Sequence, residues 1–255
     1  MKRKSSVLKV MARKNLTGKY GSAISCYLLL AMITVASTML ITGTTASASV
    51  STLGLITSTL LNYMVSLLIS VVNAGYLKIM LNLNRGEAFT VKDLFYPFRN
   101  HPDRFIVVHL ILLLIQFVIT LPTEIMFYTS GDALSSQALM YMAASLVLTA
   151  VTSVAINLFF GLTDYLLLDD PELGAIDAMK ASLHLMKGNK GRLLYINLSF
   201  IPLAVLCIFT CYVGFLWLIP YMQSTLTLFY MDVTGELDKP KVTPEAFTYD
   251  ESAPF

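Results

Sequence analysis

His109, Glu124 and Asp164 are the ionisable side chains that come closest to the interior of long apolar segments, and any chemistry would begin with them. A charge at the centre of a membrane helix costs roughly 2.5–3.5 kcal/mol, so a central one marks a relay or an ion site. All three are expected at the membrane boundary instead. His109 sits about one turn inside its segment, Glu124 follows Pro122 at the far end, and Asp164 stands beside Tyr165. No HExxH, GxSxG or paired-cysteine motif occurs, so neither a catalytic constellation, a metal site nor a cofactor is expected. Cys26, Cys207 and Cys211 lie in apolar runs and read as small buried hydrophobes.

A second candidate is MKGNKGRLLYINLSF, residues 186–200, where three cations and two glycines precede an apolar run. A phosphate loop needs a preceding strand and the spacing G-x-x-x-x-G-K-[ST], and neither is present. Upstream, Ile176, Met179, Leu183 and Met186 recur on one helical face, which predicts an amphipathic helix on the membrane surface, stopped by Gly188 and Asn189. Lys187, Lys190 and Arg192 then form a collar at the cytosolic boundary, with anionic lipid headgroups as natural counterions.

Two polar stripes form the third candidate. Ser58, Asn62, Ser66, Ser70 and Ala74 recur every fourth residue, and so do Ser145, Thr149, Ser153, Asn157 and Gly161. This spacing keeps them nearly on one face, where small and polar side chains let helices approach closely and hydrogen-bond. Both stripes are expected inside a helix bundle; the alternative is a polar pathway for a solute.

The elements that must carry these residues follow from composition. Of the 255 residues 56% are hydrophobic and 13% charged, and the mean hydropathy is +0.68. About a quarter charged is usual for a soluble domain, so lipid is the expected solvent. Asp, Glu, Lys and Arg are absent between Lys19 and Lys78 and from Leu193 through Met231, and each stretch exceeds the roughly 20 residues of one crossing. Dividing the first at residues 42–52 and the second at 210–214 predicts an all-α membrane protein with six spans, near 22–41, 53–77, 105–123, 138–163, 193–209 and 214–231.

Lys and Arg test this layout. Seven precede Tyr20, five lie between Lys78 and Arg104, four between Lys180 and Arg192, and two in the C-terminal tail, whereas the alternate loops have none. Positive residues stay cytosolic, so both termini are expected there. The sorting of cations onto one membrane face also removes nucleic acid as an expected partner. Three hairpins result, each returning helix ending near an interfacial tyrosine (Tyr76, Tyr165, Tyr230) and followed by an acid (Glu87, Glu172, Glu236). Residues 1–21 read as a basic amphipathic segment on anionic lipid, and residues 232–255 as a disordered cytosolic tail.

GEAFTVKDLFYPFRN (86–100), AMKASLHLMKGNKGRLLYINLSFIP (178–202) and FLWLIPYMQSTLTLFY (215–230), in this order, resemble the bacterial integral membrane family called domain of unknown function 975. Ser182, Leu185–Gly188, Leu198–Ile201, Leu216–Tyr221 and Phe229–Tyr230 carry the likeness. It implies a multi-pass protein of the bacterial plasma membrane and brings no functional residue with it. The expected role is non-catalytic binding of membrane lipid or a membrane protein partner, with a small-solute transporter as the alternative.

Overall fold

A chain in lipid must close its backbone hydrogen bonds within each segment, which makes long uncharged stretches helical. The computed structural model describes residues 3–48, 52–129, 135–210 and 212–239, and among these every regular element is a helix. They are α1 (Ser5–Leu16), α2 (Tyr20–Ala48), α3 (Thr52–Arg85), α4 (Tyr96–Arg99), α5 (Pro102–Thr129), α6 (Ser136–Phe160), α7 (Thr163–Asp169), α8 (Ala175–Met186), α9 (Lys190–Leu198), α10 (Ile201–Phe209) and α11 (Phe215–Val233). Short 3-10 turns occupy Val91–Phe95 and Glu236–Asp238.

Five segments are long and apolar enough to cross a membrane: Tyr20–Gly43, Thr57–Arg85, Pro102–Phe127, Ser136–Asp169 and Lys190–Phe209. Only 6% of the most apolar window of Ser136–Asp169 is buried by protein, against 50% for Thr57–Arg85. Lipid therefore has to cover the first, and the second forms the central column. α3 touches α1, α2, α5, α7 and α11. α11 differs from the five because Ser224, Thr225, Thr227 and Asp232 interrupt its apolar residues, and all four are buried against protein.

Several expected boundaries move, each for a local reason. Residues 42–48, expected in a loop, continue α2. Thr34, Ser37, Thr38 and Thr42 donate their hydroxyls to carbonyls one turn back, at 2.8–2.9 Å, so polar side chains here need no water and do not end the helix. α3 runs past residue 77 to Arg85. At about 1.5 Å per residue it is about 51 Å long, well beyond a hydrocarbon core of about 30 Å. The fourth segment breaks at Gly161 and Leu162, between α6 and α7. The fifth breaks at Ser199 and Phe200, just before Pro202 opens α10, because a proline is tolerated in a first turn but not in a helix interior.

Both amphipathic helices use their apolar faces differently from expectation. In α1, Leu8, Ala12 and Leu16 are fully buried and the helix lies against α11, whereas Val7 and Val10 are exposed. In α8 the covered face is Ala178, Met179, Ser182 and Met186, whereas Ile176 and Leu183 are exposed. Hydrophobic periodicity places an apolar stripe but does not say whether lipid or another helix covers it. Gly188 ends α8 with φ of +83°, and the Asn189 side chain closes the end by donating to the Leu185 carbonyl at 2.7 Å. Residues 232–239, expected within a structureless tail, complete α11 and form the second 3-10 turn. Residues 240–255 and Cys211 lie outside the described residues.

Leu8, Ala12, Leu77, Leu81, Leu228 and Phe229 belong to one buried cluster, and Leu16, Cys26, Tyr76, Met80 and Leu94 to a second. The second depends on Gly75. A Cβ there would stand 1.8 Å from the Leu94 carbonyl oxygen, so only glycine lets the 3-10 turn Val91–Phe95 press its backbone against α3.

Candidate functional site

The two polar stripes meet at one place. Ser66 and Ser70 of α3 and Ser153 and Asn157 of α6 line a cavity of about 430 Å³. α5 adds His109 and Gln116, seven residues apart and thus on one face, α7 adds Asp164 and Tyr165, and α11 adds Gln223. At 1.5 Å rise per residue, Gln116 lies about 21 Å along α5 and His109 about 10 Å, so the cavity runs from mid-helix toward the break at Gly161. That break lets α7 turn Asp164 and Tyr165 into the space beside α5.

His109 and Asp164 form the one ion-pairable contact of the cavity among the described residues, with Nε2 3.6 Å from Oδ2. The distance suits an ion pair and exceeds a hydrogen bond. His109 Nδ1 is 2.9 Å from the Phe105 carbonyl oxygen. A carbonyl only accepts, so Nδ1 carries a hydrogen and Nε2 is the nitrogen whose protonation changes. Asp164 Oδ1 and Gln116 Nε2 are buried without a hydrogen-bond partner. Buried polar atoms are normally paired, and both residues line the one cavity, so its walls hold an acceptor and a donor that no protein group uses. Tyr165 is fixed beside them: its hydroxyl lies 3.3 Å from Thr227 Oγ1 and its ring stacks on Tyr230 at 5.0 Å. Among the described residues, Lys and Arg are absent from the lining.

The remaining stripe residues have other surroundings. Ser145 donates to Glu124 Oε1 at 2.7 Å and joins α6 to α5. Ser66 Oγ approaches Asn62 Oδ1 at 3.5 Å within α3, Thr149 is exposed, and Ser58 is half-buried. Among the described residues no group of three or more His, Cys, Asp or Glu could hold a metal ion.

The expected cationic collar divides into three environments. Lys187 is exposed. Lys190 Nζ lies 3.3 Å from the centre of the Phe159 ring. Arg192 turns inward, where Nη2 is 2.6 Å from Asp232 Oδ2 and also donates to the Arg3 carbonyl. Arg3 Nη1 meets the other Asp232 oxygen at 3.1 Å, so two guanidinium groups hold one fully buried carboxylate. A second clasp joins the ends of the returning helices: Arg85 binds Glu236 at 2.7 Å and Asp169 at 2.9 Å, and Tyr230 donates to Asp169 at 2.6 Å. Lys9 closes the break in the fifth segment, donating to the Ser199 carbonyl at 3.3 Å over the Phe200 ring; burial holds its ammonium below the ordinary lysine range.

Residues 1–236 match the family described as "Protein of unknown function (DUF975)". The chain belongs to that family. The match reaches from α1 to Glu236 and so includes the cavity and both ionic clasps. No curated protein and no solved structure matches the chain.

Gln116, Asn73 and Gln223 line the cavity of this DUF975 chain and escaped the sequence argument. Gln116 was visible in principle, two helical turns after His109, and Asn73 follows Ser70 by three residues. The meeting of His109 with Asp164 left no local signal, because 55 positions separate them.

Proposed function

We propose that this chain is a six-span protein of the bacterial plasma membrane with both termini cytosolic, and that it binds a small polar solute between its helices and passes it across as a permease. The observation that carries this reading is the cavity, with an unpaired acceptor on Asp164 and an unpaired donor on Gln116 among its walls. Its volume of about 430 Å³ suits a small molecule. α11 supplies the sixth crossing. Its 19 residues span about 28 Å, close to the core thickness, and α1, α2, α3 and α10 shield its polar side chains. The sorting of all 18 Lys and Arg residues supports the orientation.

Two experiments test this. With the native Cys26, Cys207 and Cys211 replaced by alanine, membrane-impermeant thiol reagent on intact cells should label a Gln137→Cys variant and spare Lys187→Cys; external labelling of the latter rejects the orientation. Ser70→Leu should fill the polar wall without disturbing either clasp. In proteoliposomes given a panel of neutral and cationic polar solutes, it should reduce uptake of the transported solute about tenfold or more, as expected when a guest loses a polar partner. Equal uptake by wild type and variant, or no uptake of any member, would count against the permease.

A recess of about 400 Å³ lined by Arg3, Lys4, Ser5, Ser6, Arg192 and Tyr195 supports a second role, binding of anionic lipid at the cytosolic face. Exposed Lys187 and neighbouring Lys190 would add to it, each by about 1 kcal/mol near an anionic leaflet. Lys187→Gln with Lys190→Gln should therefore lower retention of anionic lipid in native mass spectrometry, and unchanged retention would leave these lysines as topological signals alone. Arg192 is kept intact in this test because its removal unpairs Asp232.

A further inference from the structure

We infer that the His109–Asp164 pair makes the cavity an exchange site, holding in turn a proton or a small organic cation with a protonated amine. The inference rests on the cavity reading above and names the class of guest. With Nδ1–H committed to the Phe105 carbonyl, the pair has two places for one further proton, His109 Nε2 and the Asp164 carboxylate. Holding that proton the pair is neutral, as imidazolium with carboxylate or as imidazole with carboxylic acid. Without it the pair carries one negative charge. A net charge at membrane depth is costly, so the empty pair has to recover either a proton or a cation.

The walls decide which cation. Among the ionisable lining residues, Asp164 supplies the negative charge, and no Lys or Arg is present to receive an anionic guest. Asp164 Oδ1 accepts without a protein donor, which suits the N–H of an ammonium group. Phe160, Phe229, Leu112, Leu113 and Leu226 are among the apolar residues of the wall, and aromatic and aliphatic surface fits an organic body better than a hydrated metal ion. A water occupies about 30 Å³ of liquid, so the space also exceeds a bare monovalent ion many times over.

Other charged groups on the surrounding elements lie outside the cavity lining. On α5, Arg104 donates to the carbonyls of Asp170 and Leu173. Asp169 of α7 pairs with Arg85 of α3, and Arg192 of α9 with Asp232 of α11. Lys78 of α3 lies over the Tyr96 ring, Asp177 and Lys180 of α8 pair with each other, and His184 of α8 and Arg99 of α4 are exposed. Among the described residues, α3 and α6 present no charged group to the cavity.

The exchange balances without a covalent step. The amine enters as R–NH3⁺, the shared proton leaves Nε2 or the carboxyl group for water, and no bond within the guest changes. The cavity is neutral before and after.

Butylammonium is a suitable probe and 1-butanol its neutral counterpart. Calorimetric titration of the full chain in lipid nanodiscs, in buffers of different ionisation enthalpy, reads both binding and protons released. Butylammonium should bind with release of about one proton, and its affinity should weaken about tenfold for each unit of pH below the titration of the pair. Asp164→Asn should lose the binding while keeping a cooperative melt. His109→Gln should retain it with a displaced pH profile, which a purely structural role would not produce. Butylammonium that fails to bind, or binds with no proton released, overturns the exchange. In that event, continued binding of neutral solutes that Ser70→Leu abolishes preserves the permease, whereas loss of both rejects the cavity as a binding site.

Discussion

Asp232→Ala will destabilise the fold by about 3–5 kcal/mol, the usual consequence of removing one partner from a buried ion pair. The Asp232 side chain is 0% exposed and takes the charges of both Arg3 and Arg192. Alanine would leave the mostly buried Arg192 without its anion, whereas Arg3 keeps Asp238 at 2.9 Å. The cost should arise mainly from the stranded charge, so Asp232→Leu combined with Arg192→Met should recover much of the stability. Thermal melting in nanodiscs, arranged as a double-mutant cycle, measures this. A melt of Asp232→Ala within a degree of wild type would mean that the clasp contributes little.

The second large effect is expected at Gly75, from one methyl group. Gly75→Ala places Cβ 1.8 Å from the Leu94 carbonyl oxygen and 2.4 Å from its carbon. Both are backbone atoms, so no side chain can rotate away, and the turn Val91–Phe95 must lift from α3 with buried Leu94. Overpacking of this kind costs about 1–3 kcal/mol, and the upper end applies where backbone meets backbone. Gly21→Ala in α2 is the control, because its Cβ would meet nothing within 4 Å and alanine is the better helix former. If the two variants melt together, the contact with Leu94 yields more readily than its geometry implies.

The long helices were legible because segments such as residues 20–77 offer water no charged side chain. The interruptions were less so. Thr42 looks like a loop residue, and only its bond to the Thr38 carbonyl one turn back shows how a helix absorbs it. Ser66, Ser70, Ser153 and Asn157 could be placed on faces by counting, and they do share a cavity. Arg192 illustrates the limit: its position in the chain reads as a headgroup ligand, but Asp232 lies 40 residues later and claims it. Charge counting sorts residues by side of the membrane and is silent about which of them pair. α11 carries the same lesson, since its polar residues weaken a hydropathy argument until α1 and α3 are seen to cover them.

The contact of α1 with α11 also fixes the order in which this protein can be completed. A ribosome makes residues 5–16 first and residues 215–233 after every other long helix. Until then Leu8 and Ala12 lack their neighbours Leu228 and Phe229, and Asp232 has not yet reached Arg3, 229 positions upstream. α11, whose Ser224, Thr225, Thr227 and Asp232 are buried against protein, then enters a bundle already built rather than bare lipid. Pairing of such distant segments is slow, and an exposed apolar face is the feature that quality-control proteases and chaperones detect. A chain arrested before residue 215 is therefore left open along the α11 side of its first helix, and assembly of this membrane protein is a test that only a finished chain can pass.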